Sequence, residues 1–189
     1  MMKPAALALL LAAAACSAAL KPDQIATSAR SQIGVTVAYD AAYRKLDYPG
    51  GDVPKETGVC ADVIVRALRA QGIDLQKEVH EDMARDFEAY PKKWGLKKPD
   101  PNIDHRRVLN LMTYFRRQGW AQSLEKKADL YHTGDIVAWD LGGGVTHIGI
   151  VSDRHNAKET PLILHNIGAG TQEEDVLFEF EIIGHYRLK

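Results

Sequence analysis

The chain is short of several things, and each shortage excludes something. It carries two cysteines in 189 residues, too few for a disulfide framework or a thiolate zinc cage to hold it together. Its 24 basic side chains face 25 acidic ones, a formal balance of −1, so no overall basic field draws it to nucleic acid. After residue 21 it has no long apolar run, which excludes a multi-span membrane protein. Beyond residue 22 there is no internal repeat, low-complexity tract or long linker. What remains is ordinary: 46% hydrophobic residues, enough for one core and too many for intrinsic disorder.

The one apolar run lies at the N-terminus. Met1-Met2-Lys3 is a short positive region, Pro4 to Ala15 is unbroken apolar sequence, and no charge falls between Lys3 and Lys21. A spanning helix needs about 20 strongly apolar residues. This run is shorter and Ala-rich, so residues 1–21 read as a secretory signal peptide. Two processing routes are open. A small-x-small site at Ser17-Ala18-Ala19 releases the chain to the periplasm or the exterior. Alternatively, Ala13-Ala14-Ala15-Cys16 resembles a lipobox in which Cys16 takes a lipid, the only membrane attachment expected, although Ala13 stands where Leu is usual. Residues 22–189 are expected to form one domain.

Apolar spacing predicts four helices. The first runs from Asp23 to Ile33 before Gly34. The second opens at Thr57 or Gly58 and stops at Gly72, with Val63, Ile64, Ala67 and Leu68 inward. The third carries Leu75, Val79, Met83 and Phe87 up to Tyr90-Pro91. The fourth, capped by Asp104, carries Val108, Leu111, Met112 and Phe115 to Gly119. The period then changes. Asp135–Trp139, Thr146–Ser152, Leu162–Asn166 and Leu177–Ile183 read as strands, with His185–Leu188 extending the last. Helices first and strands afterwards predict an α+β domain, helices packed on a mainly antiparallel sheet.

Removal of the leader leaves Cys60 as the only unmodified thiol. A buried structural cysteine is the plain reading, but an unpaired thiol in an exported chain is a liability unless it serves a purpose. Cys60 falls where the second helix begins, and a helix N-terminus favours thiolate over thiol. A nucleophilic cysteine needs a base, and the base needs an orienting partner. His147, in Val145-Thr146-His147-Ile148-Gly149-Ile150-Val151, and His165, ending Leu162-Ile163-Leu164-His165, are each polar groups in apolar strands. If those strands pair, the two imidazoles lie side by side with the helix N-terminus above them. Asn166 is the substitute third member.

These residues resemble a known group. Tyr48-x-Gly50-Gly51, Cys60 opening a helix, Gly134-Asp135-Ile136-Val137, His147-Ile148-Gly149-Ile150-Val151 and His165 are similar to the NlpC/p60 superfamily of papain-like cysteine peptidases. The resemblance implies Cys60 as nucleophile, His147 as general base and His165 as the orienting residue. It also implies Tyr48 near the nucleophile and Asp135 in a structural turn. Tyr48-Pro49-Gly50-Gly51-Asp52-Val53-Pro54, Gly58-Val59-Cys60, Asn102-Ile103-Asp104-His105-Arg106-Arg107-Val108, His165-Asn166-Ile167-Gly168 and Gly184-His185-Tyr186-Arg187 resemble a secreted bacterial branch, domain of unknown function 1287, over almost the whole mature chain. That branch implies a fold and a triad but no substrate. Where the best-known superfamily enzymes read Asp-Cys-Ser-Gly, this chain has Val59-Cys60-Ala61-Asp62, so their stem-peptide specificity does not transfer.

Three charges near the site have two readings. Asp62 replaces the lost carboxylate or suits the positive helix end. Arg106 and Arg107 sit in a solvated first helical turn, or one of them clamps a substrate carboxylate or braces an acidic segment such as Asp52. The Lys92–Lys98 loop around Trp94 is a solvated charge run or touches an anionic cell-wall polymer, the first being the usual case. His80-Glu81-Asp82 lacks metallopeptidase spacing, and His105, His132, His155 and His185 show no zinc spacing. No metal or cofactor is expected. The expectation is an exported cysteine hydrolase acting on an amide bond in peptidoglycan peptides, with the Cys60 N–H and Tyr48 stabilising the oxyanion. Its rivals are a silent cell-wall or protein binding module, an acyl or thioester hydrolase with the same triad, and a His/Asp metal hydrolase.

Overall fold

Leu75, Val79 and Met83 repeat every fourth residue, and all three are buried on one side of a helix. The same logic builds the other helical elements of the computed structural model, which describes residues 21–189. These are α1 (Pro22–Arg30), α2 (Cys60–Arg69), α3 (Leu75–Arg85) and α4 (Val108–Arg117). Two two-residue strands, β1 (Ala38–Tyr39) and β2 (Thr57–Gly58), pair in parallel just before α2. The main sheet has β3 (Ile136–Asp140), β4 (Thr146–His155), β5 (Pro161–His165), β6 (Gln172–Glu174) and β7 (Glu181–Tyr186). Its order is β6-β5-β4-β3-β7, and every pairing is antiparallel. The signal-peptide and Cys16 expectations lie outside the described residues. No described helix is long and apolar enough to cross a membrane.

The sheet is buried on both faces, which is why β3 and β4 read as near-continuous apolar runs rather than alternating ones. Ile136, Ala138, Ile148, Ile150 and Leu164 pack against α1, α2, α3 and α4. Val137, Trp139, Val151 and Ile163 form a second core with Tyr131, Leu177 and Ile182. The hairpin between β3 and β4 turns through Gly142, Gly143 and Gly144, all at positive φ, a conformation that costs glycine little. Asp135 sits just before β3. Its buried carboxylate accepts the His132 N–H at 2.8 Å, His185 Nε2 at 2.8 Å and two Arg187 bonds at 2.7 Å, locking β7 to β3.

Several element boundaries differ from the sequence reading: α1 ends at Arg30 rather than Ile33, and α3 ends at Arg85, before Phe87. Asp104 does not cap α4: Asp104–Arg106 is a separate 3-10 turn, and α4 starts at Val108. Asp104 instead accepts the Asp100 N–H at 2.6 Å and approaches His80 at 3.5 Å. Leu177 is a core residue in the loop before β7 rather than the start of the last strand. The three-residue strand β6 and the β1–β2 ladder have no counterpart in the apolar pattern.

Candidate active site

Cys60 is the first residue of α2, after the extended Val59. Asp62, in the first turn, turns back to accept the Val59 N–H at 2.7 Å, which satisfies one backbone donor at the helix entry. Gly58 makes room for this: a Cβ there would lie 3.2 Å from Asp62 Cβ. Asp62 also receives Arg106 Nε at 2.9 Å and Nη2 at 2.9 Å, and both side chains are almost fully buried. The same guanidinium reaches the carbonyls of Asp40 at 3.0 Å and Ala42 at 3.2 Å. Asp62 and Arg106 therefore bind each other and not substrate. Arg66 holds Asp52, at 2.9 Å. Each acid near the nucleophile's helix is already spoken for.

The tyrosine beside the nucleophile is Tyr39, not Tyr48. Pairing of Tyr39 with Gly58 brings the phenol against Cys60, and burial followed by that contact pushes it up to about 12. Tyr48 is exposed, with its ring edge-on to His80 at 5.2 Å. The loop after it is tied to the start of α3 through Gly50 N–H to Asp74 at 2.8 Å and Gly51 N–H to Gln76 at 2.9 Å, which carries Tyr48 away from α2.

His147 Nε2 and His165 Nδ1 are 2.8 Å apart, both residues nearly inaccessible. Gly149 between them on β4 allows this approach, since a Cβ there would meet Ile163 Cγ2 at 2.6 Å and His165 Cβ at 3.1 Å. His165 Nε2 lies 2.9 Å from Glu174 on β6, within ion-pair distance but without the geometry of a hydrogen bond. A carboxylate only accepts, so the network assigns the His165 proton to Nε2. His165 Nδ1 then accepts from His147 Nε2–H, and His147 Nδ1 keeps the free lone pair. Trp139, paired with His147 across β3 and β4, stacks on it at 5.8 Å.

The expected triad is only partly assembled. Alternation along β4 sends Ile148 toward the helices and His147 to the Trp139 side. Cys60 belongs to the helix side, where the backbone N–H groups of Ile148 and Ala61 lie near enough to favour its thiolate. Thiol and imidazole thus approach the start of β4 from its two sides, and no hydrogen bond joins Cys60 to His147. Asn166, the expected substitute, is committed elsewhere: it donates to the Gly58 carbonyl at 3.0 Å and accepts the Gly168 N–H at 3.1 Å. It pins the end of β5 to the approach of α2.

The thiolate expected from the helix position is also not the resting state. Burial pushes the Cys60 thiol up to about 11, against the opposing pull of the two backbone N–H groups. Burial, with His165 alongside, takes His147 down to about 3. At neutral pH the pair is a neutral thiol and a neutral imidazole. Cys60 opens onto a cavity of about 200 Å³ that also meets Tyr39, Trp94, Arg107 and Thr146. Sequence reasoning missed Tyr39, Thr146 and Glu174, and gave Trp94 no role at the site.

Among known proteins, the chain is 60% identical over 163 residues to "Uncharacterized protein YijF" of Escherichia coli (strain K12), a match covering 86% of this chain and 80% of that one. Residues 26–188, nearly all of the described chain, match one family. The protein belongs to the family described as Domain of unknown function (DUF1287).

Proposed function

We propose that the protein is an exported cysteine hydrolase of papain-like, NlpC/p60 type that cleaves an amide bond in peptidoglycan peptides. The observation that carries this reading is the buried His147–His165 hydrogen bond of 2.8 Å at the start of the strand that also packs beside the helix-terminal Cys60. A histidine held by a second polar group, with its other nitrogen free, is the arrangement that proton shuttling requires. In the reaction the Cys60 proton passes to His147 Nδ1 as sulfur attacks the carbonyl carbon. The oxyanion is held by the Cys60 N–H with Tyr39 near it. His147 returns the proton to the leaving nitrogen, the C–N bond breaks, and a thioester remains. Water, deprotonated by His147, then cleaves the C–S bond and restores the thiol. Thiol and Nδ1 must meet in the substrate complex, where catalytic hydrogen bonds tighten.

Digestion of purified sacculi, with fragments identified by mass spectrometry, tests the proposal. Wild type should release peptide fragments, and Cys60→Ser and His147→Ala should release none while melting normally. Full activity in both variants rejects the thiol mechanism. The neutral thiol and the missing Cys60–His147 bond favour a second reading, a binding module that has kept the fold. Retention on sacculi with no turnover by wild type selects it. An acyl or thioester hydrolase would use the same three residues and is separated by its products.

A further inference from the structure

Among the described residues, every arginine except Arg107 donates at least one side-chain hydrogen bond. Arg107 donates none, and its Nη1 is buried without a partner. Its Cζ lies 4.3 Å above the Trp94 ring, and stacking of this kind fixes a guanidinium while leaving its edge free to donate. The neighbouring acids do not take it. Asp100 is used by Asn102 at 2.9 Å and Tyr43 at 3.0 Å, and Asp104 accepts the Asp100 N–H. Asp104 Oδ1 is itself unpartnered and forms no ion pair with Arg107. Arg107 is only partly buried and borders the cavity beside Cys60, so the rest of its unengaged guanidinium edge has donors to offer a ligand there.

The place of Arg107 supplies the ligand. Tyr39, Cys60, Trp94, Arg107, Val108 and Thr146 share one cavity of about 200 Å³. A space of that volume spans roughly 7 Å, about two residues of extended chain. Guanidinium matches a carboxylate through two parallel N–H···O bonds. We infer that Arg107, stacked on Trp94, is a carboxylate-binding subsite that selects amide substrates carrying a free carboxylate within about two residues of the bond attacked by Cys60. The inference rests on the reading of Cys60 as nucleophile. Arg106, one residue earlier, is spent on Asp62 and has no such capacity.

Two alkylating probes of similar size test it. Iodoacetate carries a carboxylate and iodoacetamide does not, so the ratio of their rates at Cys60 cancels the thiolate fraction and reports anion binding. The wild-type ratio of iodoacetate to iodoacetamide should exceed that of Arg107→Gln at least about tenfold, and acetate should slow the iodoacetate reaction only in wild type. Equal ratios overturn the subsite. Protection by inorganic phosphate stronger than by acetate overturns the carboxylate class. If iodoacetamide fails to label Cys60 at all, the hydrolase reading fails, and the subsite is then judged in the Cys60→Ala protein. There N-acetyl-dialanine should shift the Arg107 Nε–H resonance and its C-terminal amide should not; identical responses overturn it.

Discussion

The pair that was open to two readings from sequence, Asp62 and Arg106, makes the most quantitative prediction. Their contacts of 2.9 Å from Nε and 2.9 Å from Nη2 are made between side chains 4% and 2% exposed. Removing one partner strands the other as an uncompensated buried charge, a loss of about 3–5 kcal/mol. In a chain of this size each kcal/mol moves the melting temperature about 2–4 °C. Arg106→Met or Asp62→Leu should therefore lower it by roughly 6–20 °C. The double substitution removes both charges, so it should cost less than the sum of the singles by about 2 kcal/mol or more. Some loss remains, because Asp62 also caps Val59 and Arg106 also holds the carbonyls of Asp40 and Ala42. Urea unfolding of the four proteins measures all three quantities. Additivity within about 0.5 kcal/mol, or single losses below about 1 kcal/mol, would show that the pair is solvated and that the residues are available for substrate after all.

Three further outcomes follow from the site. Alkylation of Cys60 by iodoacetamide should climb about tenfold per pH unit from pH 6 to 9, because the thiol is held up to about 11; a plateau below pH 8 refutes a neutral resting pair. His147 and His105 are held down to about 3 and about 4, chiefly by burial, so the unfolded chain binds more protons than the folded one as pH falls below about 6.5. Stability should be full above that value and decline toward pH 4 by up to about 1.4 kcal/mol per pH unit for each histidine, and denaturant titrations giving a flat profile contradict this. Nitrogen-15 NMR should find His147 protonated at Nε2 and His165 at Nε2 in wild type, with that pattern lost in Glu174→Ala and kept in Glu174→Gln; the opposite His147 tautomer refutes the assignment.

The parts of the fold that follow local periodicity could be read from the sequence. Leu75, Val79 and Met83 mark α3, and the apolar runs around His147 and His165 mark two strands whose pairing brings the imidazoles together. What the sequence concealed depends on contacts between distant segments. Tyr39 and Tyr48 are both tyrosines in loop-like sequence, and only the two-residue β1–β2 ladder decides which of them meets Cys60. Glu174 lies in Gln172–Glu174, a polar three-residue strand that carries no apolar alternation and gains its place from pairing with β5. Arg106 and Arg107 are adjacent and chemically identical, yet the 3-10 turn points one at Asp62 and leaves the other over Trp94. No rule of composition or spacing separates them. The helix-terminal thiolate was a sound local argument, and burial overrode it because desolvation of a fully enclosed thiol outweighs a partial dipole charge.

That override bears on how Cys60 would persist if the chain is exported as proposed. The thiolate, not the thiol, exchanges with disulfides and is oxidised. Burial that keeps Cys60 protonated would therefore protect it in an oxidising compartment and also makes it a poor nucleophile at rest. The two demands are reconciled only if substrate changes the surroundings of the thiol. A carboxylate on Arg107 neutralises the one unpaired cation of the cavity, so it does not itself favour thiolate. In the proposed hydrolase, activation would then fall to His147, whose free Nδ1 is oriented by His165 but lies across the start of β4 from the sulfur.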